Sequence, residues 1–279
     1  MANVRLILAL LAALAAPLPA AAQSFSAGVE AAYDRFTYRF ENPSSFDTPQ
    51  PVPHFFEQSY VADNLWFVAA LRYTAGIPWE TSGGATFERT LPATDFDTFF
   101  NPDGAVIVAG TSGDAEIHSF RVSQRADLGR AAAVHFSAGY TLRYDRANFL
   151  VGHKVVIRNG EVIQAFDVTT REMTSSIVQE FFFGARAGRA VGSAWRMTIG
   201  GEAAPTTTGR LAIELPDKYP GATLVFVADA LTATGRLVFS RAANRRPIEL
   251  TIEALRSWGY TSEKSLARDR LSARFVVGL

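Results

Sequence analysis

The sequence predicts an all-β fold: a closed antiparallel transmembrane β-barrel of ten strands, eight or twelve being the alternatives, with long external hairpin loops. Three observations point there. After residue 22, apolar and polar residues alternate with period two in ten segments, and no segment shows a helical period. Connections alternate short and long, with both chain ends on the short side, as in barrels with short periplasmic turns and long external loops. Finally, the polar faces carry Arg and Glu but no Lys.

The first 22 residues are a separate object. "MANVR" is a short basic start, "LILALLAALAAPLPA" an apolar stretch, and Ala20-Ala21-Ala22 a small-residue end. That is the layout of a cleaved signal peptide. The chain therefore divides into a signal peptide, 1–22, and one barrel domain, 23–279. After residue 22 no run of 18 apolar residues exists, so no helix is expected to cross a membrane.

The strand segments follow in order. The first places Phe25, Ala27, Val29, Ala31 and Tyr33 on one face. The second has Leu65, Phe67, Ala69, Leu71 and Tyr73, and the third Ile77, Trp79, Thr81, Gly83, Ala85 and Phe87. The fourth has His118, Phe120, Val122, Gln124 and Ala126. "VHFSAGYTLRY" is the fifth, with Val134, Phe136, Ala138, Tyr140, Leu142 and Tyr144 against His135, Ser137, Gly139, Thr141 and Arg143. The sixth runs from Ile177 to Arg186 and the seventh from Trp195 to Ala203. The last three span Leu231–Phe239, Ile248–Leu255 and Leu271–Leu279. Each is about ten residues, the length a tilted strand needs to cross a bilayer.

Short connections fall at 75–78, 127–131, 188–193 and 241–247. Long ones fall near 41–62, 89–115, 145–172, 205–229 and 259–269. The long ones carry β signals of their own. "VVIRNGEVI" holds Asn159-Gly160, the pair that favours a two-residue type I′ turn. "GRLAIELPDKYPGATLVFV" reads as a second hairpin turning at "PDKYPG". Both are expected to be strands prolonged beyond the membrane.

The two faces differ in kind. One is Leu, Val, Ile, Ala, Phe and Gly, with Tyr33, Tyr73, Trp79, Tyr144, Trp195, Phe239 and Trp258 near strand ends, as in interfacial aromatic girdles. The other collects Glu30, Arg72, Glu80, Arg121, Arg125, Arg143, Glu180, Arg186, Arg196, Glu202, Arg236, Glu249, Glu253 and Arg274. A solvated exterior would use Lys freely. The planar Arg fork suits crowded sites where it pairs with carboxylates, and buried charges are tolerated only when paired. This face is therefore expected to line a packed polar lumen. A soluble barrel with an apolar pocket is the competing arrangement, and the leader, the loop asymmetry and the choice of Arg disfavour it.

Several chemistries are excluded or unsupported. Cysteine is absent, which removes disulfides, thiolate metal sites and a Cys nucleophile. Charge is balanced, 27 Lys+Arg against 27 Asp+Glu, so no nucleic-acid partner is expected. The four histidines show no ligand spacing and no glycine-rich phosphate loop occurs, so no metal or cofactor is expected. His135 and Ser137 share a strand face about 7 Å apart, too far for an unaided hydrogen bond. They also sit next to a short turn. A His–Ser lipid hydrolase is therefore the weaker reading, and two polar lumen residues the stronger.

The mature chain resembles bacterial outer-membrane β-barrels. Its end, "RLSARFVVGL", is similar to the C-terminal signal read by the barrel-assembly machinery, although it closes on Leu279 and the nearest aromatic is Phe275. Ten strands with tall extensions also resemble the omptins, surface proteases that set an Asp-x-Asp pair across a groove from an Asp-x-His pair. Asp95 and Asp97 in "ATDFDTFF" have the first spacing, but in the second long loop instead of the first. No Asp-x-His occurs, and the only loop histidines are His54 and His153.

The expected protein is thus a non-enzymatic barrel in the outer membrane of a diderm (Gram-negative) bacterium. It would act through its external loops in surface recognition, adhesion or envelope structure. A narrow passive pore and an omptin-like protease, with Asp95, Asp97 and His153 as its candidates, are the alternatives. Expected partners are outer-membrane lipid and lipopolysaccharide, and the assembly machinery during biogenesis.

Overall fold

The computed structural model describes residues 22–42, 54–75, 79–88, 93–100, 104–111, 116–217, 220–241, 247–260 and 264–278; the leader and its cleavage site lie almost wholly outside these. Twelve strands form one antiparallel sheet: β1 Ala22–Asn42, β2 His54–Ala75, β3 Trp79–Glu88, β4 Ala93–Phe100, β5 Ala105–Thr111, β6 Glu116–Ala131, β7 Val134–Arg158, β8 Glu161–Val191, β9 Trp195–Glu214, β10 Leu224–Arg241, β11 Ile248–Gly259 and β12 Lys264–Gly278. Side chains of β2 other than Glu57, and those of β3 and β4, are outside the described residues.

The ladders run β1–β2–β3–β6–β7–β8–β9–β10–β11–β12, and β12 pairs back onto β1. That circuit has ten members within the sheet of twelve strands. The other two strands continue members of the circuit. The first half of β2 pairs with β4 and its second half with β3. Likewise β7 pairs with β6 low down and with β5 above, and β4 pairs with β5. Thus β3 with β4, and β5 with β6, each act as one interrupted wall strand.

The correction to the sequence reading concerns two of the long loops: much of 41–62 and 89–115 is strand, whereas 145–172 and 205–229 are prolonged strands as expected. β7 has 25 residues and β8 has 31, against roughly ten needed for a membrane crossing. Their alternation simply continues past the bilayer. At the tip, Asn159 and Gly160 both take positive φ, 52° and 82°, as a type I′ turn requires. The β9–β10 hairpin also forms as expected, with Leu224 opposite Ile213.

Several register shifts redirect side chains. Between Ala204 and Thr207 the register of β9 shifts against both β8 and β10. Pro205, which has no N–H to give a ladder, sits at that bulge. Inward residues are even-numbered below it (Glu202, Ala204) and odd-numbered above it (Thr207, Leu211). In the upper hairpin, Val151 pairs with Thr170 but His153 with Asp167, and Val156 with Gln164 but Ile157 with Val162. Among the described residues, 161–172 of β8 pair with β7 alone.

The faces point as expected of a membrane barrel. Phe136, Phe181, Phe183, Ile199, Leu250, Ile252, Leu271 and Phe275 are exposed on the outside. Phe181 is 59 % and Ile199 61 % accessible, which in water would be a large uncovered apolar belt. Glu30, Asp34 and Glu253 are buried inside.

Candidate functional site

The site is the lumen, and it is built by parity. Because strand residues alternate faces, each strand of the circuit delivers an inward residue every second position. β1 delivers Glu30 and Asp34, β12 delivers Arg268, Arg270 and Arg274, and β6 delivers Arg121 and Arg125. β7 adds Arg143 and Asp145, β9 Glu202, β10 Arg236, and β11 Glu249 and Glu253.

These charges meet in two groups. Near the β1–β12 wall, Arg270 donates to Asp34 and to Glu30, each at 2.7 Å, and Arg274 Nε donates to Glu30 at 2.9 Å. Arg268 grips both oxygens of Asp34, its Nε donating at 2.9 Å. On the other side, Arg236 joins Glu202, at 2.6 Å, and Glu253. Arg125 donates to the same Glu202.

Several contacts cross the lumen. Arg125 leaves β6 and ends on β9. Arg143 of β7 donates to its neighbour Asp145 at 2.8 Å and stands 3.8 Å from Asp34 on β1. Arg121 of β6 lies 4.0 Å from Glu253 on β11. Arg125 also stacks over Phe182, 5.4 Å from the ring centre. Every buried carboxylate named here has an Arg partner, the condition for keeping charge out of water.

A cavity of about 460 Å³ remains among these groups. Its lining runs from Ser26, Glu249 and Val276 at the turn end up to Arg143 and Arg268. Above that level the inward face turns apolar. Phe36 and Tyr38 of β1, Leu266 of β12, Leu211 and Ile213 of β9, and Phe226 of β10 form one buried cluster. Tyr38 is fully buried, and Phe36 meets it edge to face at 4.6 Å. β11 ends at Gly259, and beyond it β10 and β12 meet through these side chains. Between the charged and apolar levels runs a row of hydroxyls: Thr207 donates to Thr232 at 2.8 Å, and Thr232 contacts Ser257 at 2.8 Å.

Most of the residues expected to line the lumen come together: Glu30, Arg121, Arg125, Arg143, Glu202, Arg236, Glu253 and Arg274 are in the ion-pair groups. Glu180, Arg186 and Glu249 line the cavity, and Glu249 accepts from Thr251 at 3.0 Å. Arg196 does not belong. Its parity is inward, but it lies one residue above the β8–β9 turn and is exposed. Arg72 and Glu80 carry side chains outside the described residues. Sequence reasoning missed Asp34, Asp145, Arg268 and Arg270. All four obey the same alternation, one to three residues beyond where the ten-residue segments were ended.

The alternative catalytic candidates are placed by register. Phe96 pairs with Gly110, and Gly110 with His153. Asp95 and Asp97 therefore flank the row of His153 on one continuous wall, β4–β5–β7. His153 is exposed and pairs on its other side with Asp167 of β8. The side chains of His54, Asp95 and Asp97 lie outside the described residues. Ser137 is buried in the lumen lining, and His135 pairs with Arg130 and Arg186 at the turn end. Among the described residues no cluster of three His, Asp or Glu has metal-holding geometry.

No protein-family model matches the chain, and no curated protein matches it. Among solved structures it is similar to the outer membrane protease OmpT from Escherichia coli, with a TM-score of 0.54 at 8 % identity, covering 91 % of this chain and 95 % of that one. The translocator domain of the autotransporter NalP from Neisseria meningitidis matches with a TM-score of 0.33 at 11 % identity, over 99 % and 95 % of the two chains. The TodX monoaromatic hydrocarbon channel matches with a TM-score of 0.31 at 8 % identity, over 94 % and 90 %. Identity this low speaks to architecture alone. With the outward apolar belt and the inward charges, the likeness to OmpT gives the chain the fold of an outer-membrane β-barrel.

Proposed function

We propose that the chain is a non-enzymatic outer-membrane protein of surface recognition, adhesion or envelope structure, acting through its external strands and hairpins. It is exported with the leader 1–22, which is removed, into the outer membrane of a diderm bacterium. The carrying observation is the bridged lumen. Arg125–Glu202, Arg143–Asp34 and Arg121–Glu253 each bridge non-adjacent walls, and an apolar cluster lies above them. A ten-stranded barrel is narrow to begin with, and these side chains occupy its middle. The long β7–β8 hairpin, in contrast, carries exposed Val162, Ile163 and Phe166 well beyond the belt.

Planar-bilayer recording tests this reading. The expected result is no steady conductance from the folded chain. Steady nanosiemens-scale current would overturn it in favour of a pore. Replacing residues 153–167 by a short turn should remove binding to surfaces while the barrel still folds. Peptide cleavage lost on Asp95→Ala or Asp97→Ala would instead establish the proteolytic alternative.

A further inference from the structure

The periplasmic end of the barrel carries charge of almost one sign. Arg130 lies in the β6–β7 turn region, Arg189 and Arg196 flank the β8–β9 turn, and Arg241 ends β10 at the β10–β11 turn. All four are exposed. These turns are successive around the circuit, so the arginines form an arc under β6 to β11. The one exposed acid described on this arc is Asp127, and it already accepts from the Gly129 amide at 2.8 Å. The external end is different: Glu161 and Asp167 are mixed there with Arg158 and Arg171.

Two of the arc's arginines face lipid. Arg189 shares the parity of Phe181 and Phe183, and Arg241 that of Leu231 and Phe239. Arg241 stands over the indole of Trp195, 6.0 Å from the ring centre. Trp195 is partly exposed on the same outer face, opposite Val191. This places an aromatic with cations just below the belt of Ile199, Leu250 and Phe275, at the depth where acyl chains give way to headgroups. Arginine stems can lie along the belt while their guanidinium heads reach the interface. A guanidinium fork matches two oxygens of a phosphate.

We propose that this arc binds the phosphate groups of anionic phospholipids in the periplasmic leaflet of the outer membrane. The proposal goes beyond the function above and does not depend on it, because no residue of the external hairpins takes part.

The test is native mass spectrometry of the folded mature chain in a neutral detergent, with equal amounts of phosphatidylglycerol and phosphatidylcholine. Wild type should retain phosphatidylglycerol about tenfold better, as several cations near one anionic surface imply. The double variant Arg189→Gln/Arg241→Gln should bring the two lipids to near parity, with the heat-modifiable gel shift unchanged. Arg158→Gln/Arg171→Gln, at the external end, should leave the preference intact. Equal retention by wild type overturns the proposal. So does a preference that survives the first double variant or disappears with the second. Should the first variant fail to fold, salt decides with wild type alone. A phosphate–guanidinium preference falls as salt rises, and a salt-independent one overturns the proposal.

Discussion

Arg121 and Glu253 sit on β6 and β11, opposite members of the ten-strand circuit, yet their charged groups are 4.0 Å apart. A wall-to-wall contact of that length means that the lumen is bridged at this level. Glu253 also holds Arg236 from the neighbouring strand, so one carboxylate ties three strands.

The first prediction follows from that shared carboxylate. Glu253→Gln leaves Arg236 and Arg121 without their common anion in a poorly solvated lumen. Removing one partner of a buried pair costs about 3–5 kcal/mol. The folded form should therefore convert to the unfolded band at lower temperature in semi-native gels. Adding Arg121→Met to Glu253→Gln should recover part of the loss.

A second prediction concerns the apolar cluster. A Cβ on Gly209 would come within 2.6 Å of Tyr38 Oη and 2.9 Å of Leu266 Cδ2. Gly209→Ala should cost about 1–3 kcal/mol by overpacking. Leu266→Ala, which opens a cavity at a side chain 1 % exposed, should cost about 2–5 kcal/mol. Urea unfolding in lipid vesicles reads both.

The outward belt gives a third. Phe181→Arg or Ile199→Arg should lower folding stability in vesicles by about 2–4 kcal/mol if the position lies near the bilayer midplane. The same change at Val162, near the tip of the β7–β8 hairpin, should have little effect. Equal effects at all three positions would contradict the placement of the bilayer.

The fourth is chemical. Asp95→Ala, Asp97→Ala and His153→Ala should leave any peptide cleavage by the purified chain unaltered, since the three positions share one wall. A fluorogenic peptide assay on each variant decides it.

The barrel was legible because parity is a local property. Val29, Phe136, Phe181, Ile199 and Leu271 declare their face through their neighbours, and Asn159-Gly160 declares its turn through its backbone preference. The prolonged β7–β8 and β9–β10 strands were legible, but exact strand ends were not, because nothing local separates a strand in lipid from its continuation in water. Asp34, Arg268 and Arg270 were lost for that reason. The bulge at Pro205 hid Leu211 and Ile213 differently, by inverting parity within one strand. The apolar cluster needed tertiary information: Phe226 of β10 and Leu266 of β12 lie on strands that do not pair, and they join one cluster where β11 has ended.

The upper part of β8 has its own consequence. Residues 161–170 pair on one side only among the described strands, on a hairpin that carries Val162, Ile163 and Phe166, and the next amide, that of Arg171, donates to Asp217 at 2.8 Å. A long flat edge of that kind recruits strands from neighbouring molecules. Here the two register shifts against β7 twist and interrupt it, leaving only Gln164–Asp167 in regular register between them. Four residues are too few to template a stable ladder. The irregularities thus keep crowded copies in one membrane from zipping together, while the hairpin keeps its height.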